Sequence, residues 1–559
     1  MNSEAGAELT HRGIRAPAIA PRNPLALFLA GASIMDETTG ANPHLDVVVV
    51  GAGFGGLCMA IKLREAGIVN FVVLEKANEV GGTWRDNHYP GAACDVQSHM
   101  YSYSFYGKPD WSHRYAPWEE IQSYILEVTG AYDLRRFIRF GQEVIAARFD
   151  ERRGLWTLET RAGDTLVTRH WVLATGPLHV PAIPDLPGLG TFKGKVFHSA
   201  RWDHDYDLRG KNVVSIGTGG SAIQYVPEVA KEVKQLYVFQ RSAAWVLPRD
   251  ERRYSRLRKR LFALVPALRK MHRAGLYWSN ESRVWPIFHP RIARAAQKAL
   301  SLFIRYQVRD PELRRKLTPD YTLGCKRVLI SNVYFPTFNR ANVELVTDPI
   351  AEVREHGVVT RDGKEYHADC IVLGTGFIVD PRIYMKDFVL TGRTGRSLAE
   401  DWKREPTAHM GICVAGYPNM FQLVGPHTGL GHNSILFMIE SQVRYIVECI
   451  QRLKQRGADY VEVRQDVQDA FLREVQEHLA GTVWSTGCRS WYQTAEGINF
   501  AIWPMSTWRY WLRTRHVETS EYLWVTAHAE RAGAPLRLAS AGGHAVFKPS
   551  SSRASTPTR

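Results

Sequence analysis

The chain has 559 residues, 45% hydrophobic and 23% charged, an ordinary globular composition that excludes a fibrous or wholly disordered protein. Its formal net charge of +15 leaves three interpretations: a nucleic-acid surface, an anionic membrane surface, or anionic cofactors bound within a basic exterior. The sequence carries no nucleic-acid motif and no apolar run of the roughly 18 residues that a membrane-spanning helix needs, so we expect neither a nucleic-acid partner nor a membrane span.

The cysteines and the chain ends bear on compartment and on the extent of the fold. The seven cysteines form neither a C-x-x-C pair nor an even framework, so we expect free buried thiols, no disulfide scaffold, no metal site and a cytoplasmic protein. Arginines precede a short apolar run at residues 25–34, which imitates a signal peptide. We interpret this segment as an over-long gene start with Met35 as the initiator, and we expect residues 1–44 and 529–559 to be disordered.

A dinucleotide-binding pattern opens the predicted fold. The β-branched run Leu45–Val50 predicts a strand buried on both faces, and it leads into G-x-G-x-x-G at Gly51, Gly53 and Gly56, followed by a helical pattern. The first glycine permits the turn, the second lets pyrophosphate approach, and the third lets the helix pack close to the strand. The next strand ends at Glu75, whose carboxylate suits two ribose hydroxyls and repels a 2′-phosphate, so this site favours FAD or NAD over NADP.

Two further motifs narrow the function. Residues 81–95 follow the pattern G-G-x-W-x-x-x-x-[Y/F]-P-G-x-x-x-D, and residues 192–203 follow F-x-G-x-x-x-H-x-x-x-W-[P/D]. The defined positions of the second motif are Phe192, Gly194, His198, Trp202 and Asp203. With these two motifs the chain resembles the Baeyer–Villiger monooxygenases.

The resemblance implies an FAD- and NADPH-dependent enzyme in which reduced flavin and O2 form a C4a-peroxyflavin that attacks a ketone to give an ester or lactone. It also implies the flavin contacts, which are Thr83, Trp84, Asp95 and Tyr101, with the backbone of Val144 at the adenine end. The 192–203 motif would then be a linker between the two dinucleotide domains, in which His198 and Trp202 couple cofactor arrival to the geometry of the active site.

A second dinucleotide pattern follows the linker motif. The strand pattern 211–216 leads into G-x-G-x-x-A, and we expect this loop to bind NADPH through Gly217, Thr218, Gly219, Ser221, Ala222 and Gln224. The next strand ends in Arg241 and Ser242, where the first site has an acid, and an arginine pairs well with a 2′-phosphate. The contrast between Glu75 and Arg241 therefore assigns FAD to the first site and NADPH to the second.

The resemblance also supplies a catalytic cation. The family's catalytic arginine falls on Arg327, and its second 2′-phosphate contact falls on Lys326. The chemistry requires a fixed cation that holds a peroxide anion in a water-poor site, and arginine stays charged there. We expect Asp95 to pair with Arg327 and to position it.

Toward the C-terminus the sequence matches the family at fewer positions. Ile435 falls on a flavin contact at the start of an apolar helix, and Trp491 falls on a tryptophan of the cofactor and substrate pocket, whereas we interpret His427 and His432 as loop histidines. A cluster of aromatic residues either lines an apolar pocket or forms core: Trp484, Trp491, Phe500, Trp503, Trp508, Tyr510 and Trp511.

Between the two halves of the NADPH site lies a strongly basic stretch, residues 252–273, which predicts two amphipathic helices broken near Pro266. We favour solvated helices of an inserted subdomain over a membrane-surface contact. The expected fold is α/β, with two dinucleotide-binding (Rossmann-like) domains and this helical insertion in the NADPH domain. The expected segments are an N-terminal extension (1–44), the FAD domain (45–190 and 376–528), the linker motif with the first part of the NADPH domain (191–250), the helical insertion (251–322), the second part of the NADPH domain (323–375) and a tail (529–559).

The leading prediction is thus a Baeyer–Villiger monooxygenase that acts with O2 on a small apolar ketone. An N- or S-oxidising flavin-containing monooxygenase is the alternative, although such enzymes typically lack the Trp202-Asp203 ending and the Lys326-Arg327 pair. A disulfide reductase would need a redox cysteine partner near Cys58, which the sequence lacks. The sequence leaves the ketone and the oligomeric state open.

Overall fold

Two β-sheets, each carrying one glycine loop, form the frame of the protein in the computed structural model, which describes residues 44–285 and 289–527. The predictions of disorder for residues 1–44 and 529–559 lie outside the described residues, apart from His44. The strands are β1 (Leu45–Val50), β2 (Phe71–Glu75), β3 (Ile138–Phe140), β4 (Val144–Asp150), β5 (Leu155–Thr160), β6 (Thr165–Leu173), β7 (Lys195–His198), β8 (Asn212–Ile216), β9 (Gln235–Phe239), β10 (Val246–Leu247), β11 (Leu329–Ile330), β12 (Val343–Val346), β13 (Ile350–Arg354), β14 (Gly357–Thr360), β15 (Glu365–His367), β16 (Cys370–Leu373), β17 (Val389–Thr391), β18 (Met420–Gln422), β19 (Tyr460–Val463) and β20 (Tyr522–Val525).

The α-helices of the described residues alternate with these strands. They are α1 (Phe54–Glu65), α2 (Thr83–Asp86), α3 (Trp118–Ala131), α4 (Ala222–Val229), α5 (Arg256–Leu264), α6 (Pro266–Ser282), α7 (Pro290–Gln307), α8 (Pro311–Leu317), α9 (Tyr334–Thr337), α10 (Pro381–Tyr384), α11 (Leu398–Asp401), α12 (Ile435–Arg456), α13 (Gln465–Leu479) and α14 (Thr507–Arg513).

The first sheet has eight strands and carries the first glycine loop. Its order is β17-β4-β5-β6-β1-β2-β3, with β18 also paired to β6. β1 pairs in parallel with both β2 and β6, and its residues Val47, Val48 and Val49 are fully buried, so it is an inner strand covered on both faces, as the sequence pattern predicts. The antiparallel strands β4, β5 and β6 form a meander on one side, where side chains alternate between the core and solvent.

The second sheet is parallel throughout, in the order β12-β9-β8-β16-β7. Its central strand β8 leads into the second glycine loop, and β16 returns beside it after the helical segment. The largest buried apolar cluster joins Val49 and Leu57 of the first half to Val213 and Val226 of the second, so the two sheets share a packed interface. This is the predicted α/β fold with two dinucleotide-binding halves, although the individual domain boundaries stay predictions.

The basic stretch forms two helices, α5 and α6, with the break at Val265–Pro266 where the sequence predicts it. Proline at the first position of α6 starts a new helix because its missing N–H is not needed there. Together with α7 and α8 these helices occupy residues 256–317, between β10 and β11. Among residues 44–285 and 289–527, no helix combines the length and the apolar character that crossing a bilayer requires.

The prediction that all cysteines are free is wrong. Cys325 and Cys488 form a disulfide with their Cα atoms 6.3 Å apart, and the other five cysteines are free and buried. The two partners are separated by 163 residues, so their proximity depends on how the second half of the fold returns to the first, and no local spacing indicates it.

Candidate active site

The first glycine loop has the geometry of a dinucleotide cradle. Gly51 has φ +108°, and a Cβ there would meet the carbonyl oxygen of Ala174, the residue that follows β6. A Cβ on Gly56 would meet the backbone of Gly51, so α1 approaches the strand as closely as the motif requires. At Gly53, by contrast, the nearest atom to an added Cβ is the Cα of Gly82 at 3.8 Å, an ordinary contact distance, so the position is not crowded and a phosphate can approach the backbone.

Glu75, the acid predicted to bind ribose, lies buried at the end of β2 beside this loop. Its carboxylate accepts hydrogen bonds from the Ala52 N–H at 2.8 Å and the Ala77 N–H at 3.0 Å, and it pairs with Arg85 at 3.1 Å. Arg85 also borders an open cavity of about 500 Å³ together with Lys76 and Arg201. Sequence reasoning missed Arg85, although its place directly after Trp84 in the G-G-x-W motif was a signal that could have found it.

The G-G-x-W motif packs against the first loop. Gly82 lies beside Gly53, and the short helix α2 begins at Thr83. The indole Nε1 of Trp84 donates to the Tyr101 hydroxyl at 3.1 Å, and burial strongly raises the pKa of Tyr101. Two residues predicted to contact the flavin are thus fixed to each other, and the tyrosine stays protonated.

Val144 and Ile435 are positioned by the starts of two elements. Val144 begins β4, and the register of β4 against β5 shifts between Val144 and Ala146. Ile435 is the first residue of α12, whose N-cap Ser434 accepts a hydrogen bond from the N–H of Leu436. The positive end of the α12 dipole is therefore at Ile435, which suits a neighbouring anion.

The second glycine loop repeats the geometry of the first. Gly217 has φ +110°, and a Cβ there would meet the carbonyl oxygen of Gly374, the residue after β16. Gly219 faces open space, and the buried Ala222 begins α4 after Ser221. In both loops, the carbonyl against which the first glycine turns therefore belongs to the residue that follows a strand, Ala174 after β6 and Gly374 after β16, and a Thr-Gly pair comes next in each case.

Two of the predicted NADPH residues have protein partners. Gln224 bridges to the YPGAACD segment: its Oε1 accepts from the Tyr89 hydroxyl at 2.9 Å, and its Nε2 donates to the Ala93 carbonyl at 2.9 Å. The Thr218 hydroxyl donates to the Ser242 carbonyl at 3.0 Å, which ties the glycine loop to the turn after β9. Gln224 thus connects the two halves of the molecule, and its role as a nucleotide ligand stays a prediction.

Arg241 and Lys326 form a pair of cations without a carboxylate partner. Neither side chain forms an ion pair within residues 44–285 and 289–527, and Lys326 Nζ donates to the Ser242 hydroxyl at 3.3 Å. Burial, together with the charge of nearby Arg241, lowers the pKa of Lys326, against the opposing effect of Asp320. Two neighbouring cations that repel each other are stabilised by an anion such as a phosphate.

Arg241 also borders a cavity of about 880 Å³. Two further arginines, Arg404 and Arg489, line it together with Trp484 and Trp491. Sequence reasoning missed both arginines because they lie outside any motif. The cavity offers cations and aromatic surfaces side by side.

Arg327 and Asp95 form the ion pair that the sequence predicts. Arg327 Nη2 and Nε donate to the same carboxylate oxygen, Oδ2 of Asp95, at 2.5 and 3.1 Å. The charge of Asp95 raises the pKa of Arg327, so the guanidinium remains protonated at any working pH. About a third of each side chain is exposed, 39% for the arginine and 31% for the aspartate, so the pair is not sealed in the core.

Short-range contacts hold Arg327 in place from both sides. β11 pairs with β10, and the Leu329 N–H donates to the Trp245 carbonyl at 2.9 Å, which sets the arginine segment beside the turn that carries Arg241. On the other flank, the disulfide joins Cys325 to Cys488, three residues before Trp491. Burial raises the pKa of Tyr492 to about 12, with the charge of Arg327 opposing, so the fully buried tyrosine is neutral beside the ion pair.

The 192–203 motif is partly a strand of the second sheet and only partly a linker. Lys195–His198 forms β7, which pairs in parallel with β16. Phe192, His198 and Trp202 are buried, and Trp202 packs on Phe197 and Tyr225 with ring centroids 5.0 and 5.4 Å apart. Asp203 pairs with Lys195 at 2.6 Å. At Gly194, an added Cβ would meet the carbonyl oxygen of Asp369 and the ring of Phe192.

The histidines before α12 occupy buried loop positions. Burial lowers the pKa of His427 to about 4, so it is neutral near pH 7. His432 lies 3.2 Å from the carboxylate of Glu281 on α6, which also accepts hydrogen bonds from Asn433 at 2.7 Å and Thr507 at 2.5 Å. Burial opposes the ionisation of Glu281, but the bonds from His432 and Thr507 outweigh it and lower the pKa of this carboxyl group. No local pattern in the sequence indicates Glu281.

The aromatic cluster divides between the two alternatives. Phe500, Trp503 and Tyr510 are buried core, whereas Trp491 and Trp508 are exposed. Trp484 is buried yet borders the cavity beside Arg241. The cluster is therefore neither all core nor all pocket.

The residues fit two dinucleotides. Each loop turns on a glycine packed against a returning strand and leaves its second glycine uncrowded. The first loop lies beside an acid, and the second lies beside two cations that have no carboxylate partner among the described residues. These two environments match an unphosphorylated ribose and a 2′-phosphate, respectively.

Comparisons with known proteins agree with this geometry. The family model described as Flavin-binding monooxygenase-like matches residues 45–256. A Baeyer-Villiger monooxygenase of Pseudomonas aeruginosa is 43% identical over 488 residues, which are 87% of this chain and 92% of that protein. The structure of an oxidized steroid monooxygenase bound to NADP is 33% identical, with a TM-score of 0.76 and coverage of 84% of this chain and 97% of that one. The structure of OTEMO in complex with FAD and NADP is 28% identical, with a TM-score of 0.77 and coverage of 85% and 97%.

Proposed function

Because this chain belongs to the Baeyer–Villiger monooxygenase family, we propose that Arg327, positioned by Asp95, is the cation at which it inserts oxygen beside the carbonyl of a ketone. The enzyme is a flavin-dependent monooxygenase that uses FAD, NADPH and O2. The observation that carries the proposal is the ion pair between Asp95 and Arg327, in which part of the arginine side chain stays exposed.

The reaction requires a cation that stays protonated and is held in a fixed position. FAD, when bound, supplies the reducing equivalents and the oxygen-activating chemistry. Negative charge develops on oxygen at the carbonyl carbon, and a preorganised guanidinium stabilises it without reorganisation. Asp95 orients the guanidinium through one oxygen and raises its pKa, so Arg327 binds and holds charge and does not donate a proton.

The two loops divide the cofactors between them in this proposal. FAD binds at the first loop, with its pyrophosphate at Gly51, Gly53 and Gly56, its ribose toward Glu75 and its adenine end at the backbone of Val144. The flavin contacts are Thr83, Trp84, Asp95, Tyr101 and Ile435. NADPH binds at the second loop, with its 2′-phosphate between Arg241 and Lys326, close to Ser242. The unpaired state of these two cations supports this orientation, because a dianionic phosphate compensates both.

The substrate class follows from the walls of the site. Trp484 and Trp491 line the cavity that Arg241 borders, and Tyr492, which follows Trp491, lies near Arg327. These aromatic residues support a small apolar ketone as the substrate. The balanced reaction is ketone, O2, NADPH and a proton giving ester or lactone, NADP⁺ and water. We place this reaction in the cytoplasm, where NADPH is regenerated.

The test separates flavin reduction from oxygen insertion. We expect NADPH to reduce the FAD of Arg327→Ala under anaerobic conditions. We expect ester formation by this variant to be slower by about 10²- to 10³-fold or more, because the stabilising cation is gone. Stopped-flow absorbance measures the reduction, and chromatography of the products from linear, cyclic and aryl ketones measures the ester.

The matched control is Arg209→Ala, which removes an exposed arginine that pairs with Asp207 at the surface and should leave both steps unchanged. Ester formation by Arg327→Ala at the wild-type rate would remove Arg327 from its role. If the wild-type protein oxidises amines or sulfides and yields no ester from any ketone, the N- or S-oxidising alternative is correct.

A further inference from the structure

The positive charge of the chain is concentrated in one segment. Between Arg252 and Arg309 the sequence has 15 lysines and arginines and one acidic residue, Glu281. The whole chain has 71 basic and 56 acidic residues, so the rest of it carries 56 basic against 55 acidic residues and is nearly neutral. Residues 252–309 therefore carry +14 of the net charge of +15, and the cofactor sites do not account for it.

The single acid of this segment does not offset that charge at the surface. Glu281 is buried at the end of α6 and accepts hydrogen bonds from Thr507 and Asn433. Its helix is further fixed by Arg273, which donates to the carbonyls of His99 at 2.6 Å and Ser102 at 2.9 Å. The inner side of α6 therefore packs against the rest of the molecule, and its outer side faces solvent.

Large apolar side chains occupy that outer side. Five of them are between 60% and 72% exposed, namely Leu257, Leu264, Met271, Trp278 and Trp285. They recur every seven residues, which is two helical turns, so they line one face of each helix. Exposed leucines at 261 and 268 lie between them at helical spacing.

Helix α7 carries the same arrangement. Its exposed face has an apolar stripe at Ile292, Ala295, Ala299, Leu302 and Tyr306, spaced three or four residues apart. Exposed cations stand one residue before four of these positions, at Arg291, Arg294, Lys298 and Arg305. The one-residue offset sets the cations along the flank of the apolar stripe.

We propose that the outer face of α5, α6 and α7, together with Trp285, docks the enzyme on an anionic membrane surface. Helices that lie in the plane of a membrane combine an apolar stripe, which enters the acyl boundary, with flanking lysines and arginines that contact anionic headgroups. Tryptophan is enriched at that boundary. A nucleic-acid surface matches the charge as well, but it leaves the exposed leucines, Met271 and both tryptophans without a partner. This docking is independent of the proposed catalytic role of Arg327.

The experiment uses the full-length, FAD-loaded enzyme and flotation with vesicles of phosphatidylcholine alone or with one third phosphatidylglycerol. We expect binding to the anionic vesicles, weak binding to the neutral ones, and weakening as salt is raised. Two triple variants should each reduce binding by about tenfold or more. One removes apolar contacts (Leu257→Ser, Met271→Ser and Trp278→Ser), and the other removes charge (Arg291→Gln, Arg294→Gln and Lys298→Gln).

Matched variants elsewhere on the surface control for composition and charge. One set changes three exposed apolar residues (Val69→Ser, Ile183→Ser and Val389→Ser), and the other neutralises three exposed cations (Arg148→Gln, Lys193→Gln and Arg209→Gln). Both sets should bind vesicles within about twofold of the wild type. FAD content and the melting temperature establish that every variant is folded.

Three outcomes would overturn the proposal. Equal binding to neutral and anionic vesicles would remove the role of the cations, and equal losses in the matched variants would remove the role of this face. Absence of vesicle binding would also overturn it, whether accompanied by tight binding to duplex DNA or RNA or by self-association that the apolar triple variant abolishes in light scattering.

Discussion

At the scale of single residues, the cations of the candidate site differ in whether a carboxylate accompanies them. Arg327 is paired with Asp95 at 2.5 Å, which fixes its direction. Arg241 and Lys326 have no such partner within residues 44–285 and 289–527, and the charge of Arg241 contributes to the lowered pKa of Lys326. A paired cation is preorganised for a short-lived charge, whereas unpaired cations favour a ligand that brings its own charge.

This difference predicts the nucleotide preference. Arg241→Ala should raise the KM for NADPH about 10- to 100-fold, because a charge-assisted hydrogen bond to phosphate contributes about 1.5–3 kcal/mol. The KM for NADH, which lacks the 2′-phosphate, should stay nearly unchanged. Anaerobic flavin reduction measured against the concentration of each nucleotide checks this.

Arg209→Ala serves as the control for loss of one arginine, since its side chain is exposed and pairs with Asp207. An equal rise in KM for both nucleotides after Arg241→Ala would mean that Arg241 supports the fold of the turn and does not bind the 2′-phosphate.

At the scale of elements, the packing of the 192–203 motif explains why it has a glycine at position 194. β7 lies at the edge of the second sheet, and Gly194 comes directly before it, between the ring of Phe192 and the carbonyl of Asp369. The strand thereby brings Asp203 to Lys195 and packs Trp202 on α4 through Tyr225. The motif therefore packs against the second sheet and α4 and fixes the position of the start of the second half of the fold.

We therefore expect Gly194→Ala to destabilise the protein by about 1–3 kcal/mol, the usual cost of overpacking, and to lower the melting temperature. Gly190→Ala is the matched control, because no atom lies within 4 Å of a Cβ added there and its φ is not positive. Thermal unfolding of the FAD-loaded variants measures both. Equal melting temperatures for the two variants would show that the strand moves to accept the methyl group.

At the scale of the whole molecule, buried histidines link stability to pH. Burial is the main cause that lowers the pKa of His99 and His170 to about 3, and that of His198, His272 and His427 to about 4. In the unfolded chain a histidine titrates near 6.5. Between these values the unfolded state binds more protons than the folded state, so stability decreases as pH falls from about 6.5 toward 4.

We expect the free energy of unfolding to fall when pH is lowered from about 7.5 to 5.5, by up to about 1.4 kcal/mol per pH unit for each such histidine that titrates. Denaturant unfolding at a series of pH values measures this slope. His170→Gln, which replaces a fully buried histidine on β6, should make the slope shallower by about one proton. A stability that does not change over this range would contradict the prediction.

Much of the frame follows from local pattern. The buried run at Leu45–Val50, the glycines at 51 and 217, and the acid or arginine after the second strand of each half predict two dinucleotide loops, and the structure has both. The break of the basic helices at Pro266 is also local, because proline restricts only its own turn and the one before it. Arg327 was found through its resemblance to a family motif, since nothing local distinguishes it from a surface arginine.

The sequence by itself thus determined the two loops, the family and the candidate ion pair of Asp95 with Arg327. Only the tertiary structure decided which cysteines meet, which aromatics of the 484–511 cluster are core, where Glu281 points, and which face of the basic helices remains exposed. These last features depend on contacts between residues far apart in the chain, such as Cys325 and Cys488 or Glu281 and Thr507. Backbone preferences and hydrophobic periodicity act over a few residues, whereas such pairings arise only when the whole chain packs.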